Sequence, residues 1–292
     1  MRGNRLIQFY LTNQCNSKCK TCMIWTNKEK QELDYKDVLN VIKEYPDADY
    51  VFGGGEILLY SQKGQLLDTC NNININYTIL SNAINYHGLC EIMDRYKVPN
   101  LTISCDGIKH DSIRGVSGNL NNIIKAVENV KDKTNLKISY TYSKYNEEMF
   151  PKDMEFFKRL GFDKIYFCLA QDMELLKQKD NKSFTADSFN QILEYKDMLY
   201  DKDVKFIESM INGAKKQCDS TKSVYTVYTN GDVVMCQSYM SEYVHGNIKE
   251  TSFKDIIDNW ERGNPKCPIC QYDECCNLLC QRRYDGSDLY RG

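Results

Sequence analysis

Leu6-Ile-Gln-Phe-Tyr-Leu-Thr-Asn-Gln-Cys15-Asn-Ser-Lys-Cys19-Lys-Thr-Cys22 joins a short, strand-like run to three cysteines at Cys-x3-Cys-x2-Cys spacing. Three thiolates on one tight loop can hold three corners of a cubane iron–sulfur cluster and leave the fourth iron without a protein ligand. An iron with an open position can bind a small molecule and pass an electron to it. The triplet is therefore a candidate reaction centre, with Cys15, Cys19 and Cys22 as its metal ligands.

Other roles for the triplet fit the spacing less well. Zinc sites close with four ligands, and the next cysteine and the first histidine are as far away as Cys70 and His87. A disulfide framework is disfavoured because the chain is long and enters its first strand at once, which predicts no signal or targeting segment. A loop of free cysteines remains an alternative on spacing alone.

Composition predicts a folded protein in a reducing compartment. The chain has 292 residues, 42% of them hydrophobic, and 38 basic against 40 acidic residues give a net charge of -2. We therefore expect neither nucleic acid nor membrane as a partner, since no apolar run reaches the roughly 20 residues that span a bilayer. Fourteen cysteines without a secretory signal point to metal or redox chemistry, and to a cytoplasmic location.

Strand and helix patterns alternate along the first part of the chain. Short apolar runs predict six strands, at Leu6–Leu11, Ala48–Phe52, Tyr77–Leu80, Leu101–Ser104, Leu136–Tyr142 and Ile165–Leu169. Amphipathic stretches predict helices such as Asp34–Tyr45, Leu120–Val130 and Met149–Leu160. This α/β alternation predicts a parallel sheet curved into a partial (β/α)6 TIM-type barrel. We expect the barrel over residues 1–170, a helical connector over 171–217 and a small Cys-rich domain over 218–292.

Polar or Gly-rich segments follow four of the predicted strands. They are the Cys15–Cys22 loop, Gly53–Glu56, Ser81-Asn82 and Ser104–Gly107. The carboxyl ends of parallel strands lie on one rim, so these segments should meet there. Glycine lets a ligand approach the backbone closely, and Glu56 offers a partner for an ammonium group. An ordinary strand-to-helix turn is the simpler explanation of each segment taken singly.

The Cys-x3-Cys-x2-Cys loop and the Gly-Gly-Glu segment together resemble the radical S-adenosylmethionine (radical SAM) enzymes. The resemblance implies that Cys15, Cys19 and Cys22 hold a [4Fe–4S] cluster whose open iron binds S-adenosylmethionine. It also implies that Gly54, Gly55 and Glu56 contact the methionine amino group, and that reductive cleavage yields a 5′-deoxyadenosyl radical that abstracts hydrogen. One departure is Thr21, because the residue before the third cysteine is often aromatic in the family.

The segment after the fourth strand resembles the Ser-x-Asp-Gly…His-Asp…Arg stretch of peptide-modifying members. By that resemblance Ser104 contacts the methionine carboxylate, Asp106 helps to order the rim, and Ser81 and Asn82 lie near the ribose or carboxylate. Asp-Gly is also a common turn dipeptide, which is the competing explanation. The three histidines, His87, His110 and His245, have no metal or triad spacing and are expected to be structural or solvated.

A second group of cysteines lies at the C-terminal end. On spacing alone it fits a zinc module. It also resembles the SPASM extension of radical SAM enzymes, which carries two auxiliary [4Fe–4S] clusters. By that resemblance, Cys218, Cys236 and Cys280 hold one cluster and Cys267, Cys270 and Cys276 hold the other. The match is incomplete, so Asp285, Asp288, Cys275 or an open iron would complete the ligands.

The resemblance favours a peptide substrate that is oxidised, crosslinked or epimerised. Gln237 stands where sulfatase-maturating relatives have a catalytic Asp, which argues against their reaction. The chain starts at its first strand, so we expect a separate leader-peptide-binding protein or direct binding in the barrel mouth. A low-potential donor such as flavodoxin or ferredoxin would supply electrons. Epimerisation would need a hydrogen-donating thiol, for which Cys105, Cys168 and Cys275 are candidates, although each is more readily explained as structural.

Two alternatives remain open on sequence. The first is a dehydrogenase or epimerase of a small polar metabolite such as an aminocyclitol or sugar. The second is a non-catalytic iron–sulfur or zinc protein, which would leave the Gly-Gly-Glu segment and the convergence of motifs at the rim unexplained.

Overall fold

Strands with few exposed residues form the centre of the molecule. The computed structural model describes residues 5–170, 186–212, 224–234 and 244–262. Burial on both faces is typical of a parallel sheet covered by helices. The described strands are β1 (Leu6–Thr12), β2 (Asp49–Gly54), β3 (Tyr77–Ser81), β4 (Asn100–Ser104), β5 (Asn135–Tyr142), β6 (Tyr166–Leu169), β7 (Val224–Val227), β8 (Asp232–Val234) and β9 (Gly246–Asn247).

The strands form a single sheet in the order β6-β5-β4-β3-β2-β1-β7-β8-β9. Each neighbouring pair from β6 to β1 is parallel, which confirms the predicted (β/α)6 arrangement. Among the described residues the sheet has two edges and is not closed. On its other side β1 pairs in parallel with β7, with Leu6 opposite Val224. The sheet therefore extends into the range predicted to form the Cys-rich domain.

Helices alternate with the strands and cover the sheet. The described helices are α1 (Tyr35–Glu44), α2 (Lys63–Ile73), α3 (Tyr86–Arg95), α4 (His110–Arg114), α5 (Asn119–Val130), α6 (Phe150–Arg159), α7 (Ala186–Leu193), α8 (Asp201–Ile211) and α9 (Phe253–Arg262). Short 3-10 turns occur at Ile24–Thr26, Ile57–Leu59, Gly107–Lys109, Glu147–Met149 and Lys196–Met198. In the described part of the chain, no helix combines the length and apolarity needed to cross a membrane.

Aromatic side chains fill much of the core between sheet and helices. Tyr140 of β5 packs edge-on against Phe157 of α6, with ring centroids 5.6 Å apart. Phe150 at the start of α6 lies edge-on to Phe167 of β6 at 6.0 Å. All four rings are fully buried. This packing holds β5, β6 and α6 together, and with them the loops at their ends.

The start of α1 depends on one side-chain cap, which gives a first testable prediction. The Asp34 carboxylate accepts the backbone N–H of Lys36 at 2.9 Å. An Asp34→Ala variant should lower the free energy of unfolding by about 1 kcal/mol, because that N–H loses its partner. Asp68→Ala, at an exposed position inside α2, is the matched control and should change stability by less than about 0.5 kcal/mol. Equal effects in anaerobic urea unfolding would contradict the cap.

Candidate functional site

The four segments singled out in the sequence come together at one rim of the sheet. We define the Cys loop as residues 13–34, which lead from β1 to α1. Its base is closed by two backbone hydrogen bonds, from Asn13 N to Gln31 O at 3.1 Å and from Leu33 N to Leu11 O at 2.9 Å. The loop leaves the end of β1 and contacts segments that follow β2, β3 and β4, as described below.

The Cys loop is anchored on α4, three strands away from β1 in the sheet. Lys18 N donates to Arg114 O at 3.0 Å, and Lys20 N donates to Ile113 O at 2.9 Å. The Trp25 indole donates to Cys19 O at 3.1 Å and so ties the far side of the loop to its centre. The cysteines are therefore held over the rim by backbone contacts that do not depend on a metal.

The three thiols share a partly dry environment. Cys19 is buried, and Cys15 and Cys22 are half-buried. Burial raises the pKa of the Cys15 thiol to about 11 and also raises the pKa of Cys22. Iron binding at this loop must therefore displace protons, because thiolates are the ligands.

The donor set of the Cys loop is of the type that iron–sulfur clusters use, three cysteine thiols on one loop. Cys19 and Cys22 are close enough to Cys15 to influence its thiol electrostatically. In the described ranges no group of three His, Cys, Asp or Glu side chains is placed to hold a single metal ion. The support for a cluster is therefore the chemistry of the donors and not a preformed ion site.

The Gly-Gly-Glu segment is locked against the start of the Cys loop. Gly55 N donates to Thr12 O at 2.6 Å, and Glu56 N donates to Gln14 O at 2.8 Å. A Cβ on Gly55 would lie 2.0 Å from Gln14 O, and one on Gly54, where φ is +116°, would lie 2.5 Å from Thr12 O. Both glycines are thus required for this close backbone approach.

Glu56 lies at the centre of a buried hydrogen-bond network. Its carboxylate, 1% exposed, accepts the Ser81 hydroxyl and the Asn82 N–H, each at 2.8 Å, and the Leu58 N–H at 3.3 Å. Burial raises the pKa of Glu56, and the three donors oppose that rise. The side chain thus fixes the segment after β3 relative to the one after β2.

Asn82 extends this hydrogen-bond network to the Cys loop. Its Nδ2 lies 3.8 Å from the Cys15 sulfur and donates to Asn16 Oδ1 at 2.9 Å. Its backbone oxygen accepts from Asn119 Nδ2 at 3.1 Å. An amide donor beside a ligand sulfur is a common second-layer feature of metal sites, where it tunes and orients the ligand.

The segment after β4 supplies the other donors. Arg114 forms a two-pronged ion pair with Asp106, from Nε at 2.5 Å and from Nη2 at 3.0 Å. Its Nη1 lies 3.8 Å from the Cys19 sulfur. Asp106 Oδ1 also accepts the Thr141 N–H at 3.1 Å, which links this pair to β5. Ser104 ends β4 opposite Ser139 and is half-buried.

Several residues of this site escaped sequence reasoning. Ser17 Oγ donates to Arg114 O at 2.8 Å and lies 3.0 Å from the Cys19 sulfur. The Asp106 N–H donates to His110 Nδ1 at 3.0 Å, and burial, followed by the charge of Arg114, lowers the pKa of His110 to about 4. His110 is buried and hydrogen-bonded, which agrees with the structural alternative of the sequence expectation, although its contact with Asp106 was not predicted. The sequence signal that could have pointed to Ser17 is its position within the triplet, two residues before the second cysteine.

The other described cysteines and histidines include one neighbour of the site, Cys105, which directly precedes Asp106. Cys70 and Cys105 are buried, Cys90 and Cys168 are half-buried, and burial raises the pKa of Cys105 to about 12. His87 is exposed and packs on Tyr86, and His245 packs on Trp260. The predicted auxiliary ligands and their neighbours lie outside the described residues: Cys218, Cys236, Gln237, Cys267, Cys270, Cys275, Cys276, Cys280, Asp285 and Asp288.

Comparisons with known proteins agree with this geometry. The chain is 21% identical over 299 residues to AlbA, the antilisterial bacteriocin subtilosin biosynthesis protein of Bacillus subtilis (strain 168); the match covers 92% of this chain and 66% of AlbA. The fold is similar to that of Streptococcus suis SuiB bound to precursor peptide SuiA, with a TM-score of 0.69, 17% identity, and coverage of 94% of this chain and 67% of SuiB. The chain thus spans about two thirds of the length of both relatives.

A third similar structure is anSMEcpe with bound AdoMet and Cp18Cys peptide, with a TM-score of 0.65, 18% identity, and coverage of 88% of this chain and 81% of anSMEcpe. Residues 9–157 match the model of the radical SAM superfamily, and residues 218–278 match that of SPASM, an iron-sulfur cluster-binding domain. The first match alone takes in half of the chain. The chain therefore belongs to the radical SAM superfamily, as an enzyme that uses [4Fe–4S] clusters and S-adenosylmethionine and carries a C-terminal SPASM domain.

Proposed function

We propose that Cys15, Cys19 and Cys22 hold the cluster that binds S-adenosylmethionine, and that Gly54, Gly55, Glu56, Ser81, Asn82, Ser104 and Asp106 form the rest of its pocket. When bound, this pair supplies a 5′-deoxyadenosyl radical that abstracts hydrogen from a substrate C–H bond. The observation that carries the proposal is the convergence of the Cys loop with three other strand ends. Two of its cysteine sulfurs lie beside side-chain donors from those segments.

The chain's own residues prepare this pocket. Glu56 holds the Ser81-Asn82 segment by accepting both the hydroxyl of Ser81 and the N–H of Asn82, so Asn82 stays beside Cys15. Arg114 and Asp106 form a buried ion pair whose guanidinium lies on the side of Cys19. Such pre-ordering places donors before any ligand arrives, which lowers the cost of binding in a water-poor site.

For the C-terminal part we propose the division already expected from sequence. Residues 1–170 form the barrel, 171–217 a connector and 218–292 a domain with two auxiliary clusters. Cys218, Cys236 and Cys280 would hold one cluster, and Cys267, Cys270 and Cys276 the other. The SPASM match over residues 218–278 supports this proposal.

We propose a peptide as the substrate class, modified by oxidation, crosslinking or epimerisation. The support is similarity to AlbA, a bacteriocin biosynthesis protein, and to SuiB, whose structure holds a precursor peptide. A flavodoxin or ferredoxin would deliver the electron, and the peptide would either be presented by a separate leader-binding protein or bind directly in the barrel mouth. A small polar metabolite is the alternative substrate.

The first experiment tests the reaction itself. Anaerobically reconstituted protein with a low-potential reductant should convert S-adenosylmethionine to 5′-deoxyadenosine and methionine, measured by liquid chromatography. Cys15→Ala should lower this yield at least about 100-fold, because the cluster loses one of three ligands. Cys90→Ala, at a half-buried position in α3, is the matched control and should keep wild-type turnover. Absence of cleavage by wild-type protein with full iron content would refute the proposal.

The second experiment separates the reaction types on a candidate peptide in D2O. Epimerisation should add one deuterium to the product, whereas oxidation or crosslinking should remove two hydrogens. Mass spectrometry distinguishes these outcomes directly. Turnover of polar sugars or aminocyclitols, with all candidate peptides unchanged, would favour the small-metabolite alternative.

A further inference from the structure

One guanidinium reaches a cysteine of the Cys loop from the far side of the rim. Arg114 ends α4, and its Nη1 lies 3.8 Å from the Cys19 sulfur, within hydrogen-bond range for sulfur. Only 13% of its side chain is exposed. A positive charge in this position is little screened by water, so its field at the sulfur is much stronger than that of a surface lysine.

This guanidinium is held in place from two directions. Its Nε and Nη2 bond both oxygens of Asp106, whose side chain is fully buried, and these bonds leave Nη1 directed to Cys19. The backbone oxygen of Arg114 accepts from Lys18 N and from the Ser17 hydroxyl, which belong to consecutive residues of the Cys loop. The residue that carries the guanidinium is therefore hydrogen-bonded both to Asp106 and to the Cys loop.

Ser17 adds a hydroxyl beside the same sulfur. Its Oγ lies 3.0 Å from the Cys19 sulfur and donates to Arg114 O at 2.8 Å. Arg114 O also accepts from Lys18 N at 3.0 Å. The serine thus joins the Cys19 sulfur to the backbone of the residue that carries the guanidinium.

We propose that Arg114, positioned by Asp106, raises the reduction potential of the cluster held by Cys15, Cys19 and Cys22, and so eases its reduction by a weak one-electron donor. The inference rests on the proposed cluster site and deepens it. In the reduction the cluster gains one electron from the donor, which is itself oxidised by one electron, and no bond is made or broken. Since the cluster becomes more negative, a fixed positive charge and hydrogen bonds at its sulfur stabilise the reduced state.

The test is an anaerobic redox titration of reconstituted full-length protein, without S-adenosylmethionine, followed by electron paramagnetic resonance. The site cluster is identified as the signal that changes when S-adenosylmethionine is then added. Arg114→Gln should lower the ratio of reduced to oxidised cluster about tenfold at a given applied potential, which is a shift of about 59 mV for a one-electron couple. Asp106→Asn should shift the ratio in the opposite direction, because it removes the opposing negative charge.

Two further variants test whether misfolding, or the loss of any nearby positive charge, explains the shift in potential. The double variant Arg114→Gln/Asp106→Asn leaves no lone buried charge, so it should fold even if such a charge prevents folding of the single variants. It should also show a lowered ratio, because Arg114 is the member of the pair that contacts Cys19. Lys18→Gln removes the same charge from an exposed position next to Cys19 and should change the ratio less than twofold.

The outcomes separate this inference from the proposed function. Unchanged potentials in fully loaded variants would overturn it while leaving the cluster site intact. So would weaker binding of S-adenosylmethionine with an unchanged potential, since Arg114 would then act on the cosubstrate instead. Failure of wild-type protein to show any signal that responds to S-adenosylmethionine would overturn the proposed function itself.

Discussion

Gly55→Ala is expected to destabilise the protein by at least about 3 kcal/mol and to prevent cluster assembly at the Cys loop. The added Cβ would lie 2.0 Å from Gln14 O and 2.6 Å from Gln14 C. Those atoms are backbone, and they are held by the bonds from Gly55 N to Thr12 O and from Glu56 N to Gln14 O. The clash can be relieved only by separating β2 from the Cys loop.

Gly53→Ala provides the matched control in the same glycine run. The three atoms nearest to its Cβ would all belong to the Leu80 side chain, the closest being Cδ1 at 3.2 Å. We expect a cost below about 1.5 kcal/mol and a normal iron content. Anaerobic urea unfolding and iron quantitation, applied to both variants, measure the difference. Equal stability and equal iron content in the two would show that the close approach at Gly55 is not needed.

Glu56→Ala is the second change with a large expected effect, about 3–5 kcal/mol. It leaves the Ser81 hydroxyl and the N–H groups of Leu58 and Asn82 buried without their acceptor. Each buried donor left without a partner costs about 1–3 kcal/mol. We also expect weaker S-adenosylmethionine binding, because Asn82 is no longer fixed beside Cys15.

A graded series tests this explanation. Ser81→Ala removes one donor and should cost about 1 kcal/mol. Glu56→Gln keeps the shape and one acceptor oxygen but turns an NH2 group toward other donors, so its cost should fall between Ser81→Ala and Glu56→Ala. Stability is measured by urea unfolding and cosubstrate binding by calorimetry. A Glu56→Ala variant no less stable than Ser81→Ala would show that the network contributes little.

The fold was largely predictable because its signals are local. The six parallel strands follow apolar runs bounded by turn residues, and predicted strand limits such as Leu136–Tyr142 differ from those of β5 by one residue. Helix α6, Phe150–Arg159, differs from the predicted Met149–Leu160 by one residue at each end. The pairing of β7 with β1 was not predicted, because it joins residues more than 200 positions apart by backbone hydrogen bonds that leave no pattern in sequence.

The candidate site, like the fold, was predictable from sequence only in part. Spacing alone marks Cys15, Cys19 and Cys22, and the order of motifs along the chain places Gly54–Glu56 and Ser104–Asp106 at strand ends on the same rim of the sheet. The sequence could not show that Glu56 points into the Ser81-Asn82 segment, because the direction of a buried side chain depends on donors from another strand.

By itself the sequence determined which chemical groups are available and, through periodicity and strand order, that they reach one rim. Only the tertiary structure decided which donor faces which sulfur. Arg114 illustrates the difference: in sequence it is 95 residues from Cys19, yet its guanidinium lies 3.8 Å from that sulfur. The reason is physical. Strand and helix patterns arise from local backbone preference, whereas this contact requires that the Cys loop reach α4 and that Asp106 hold the guanidinium in one orientation.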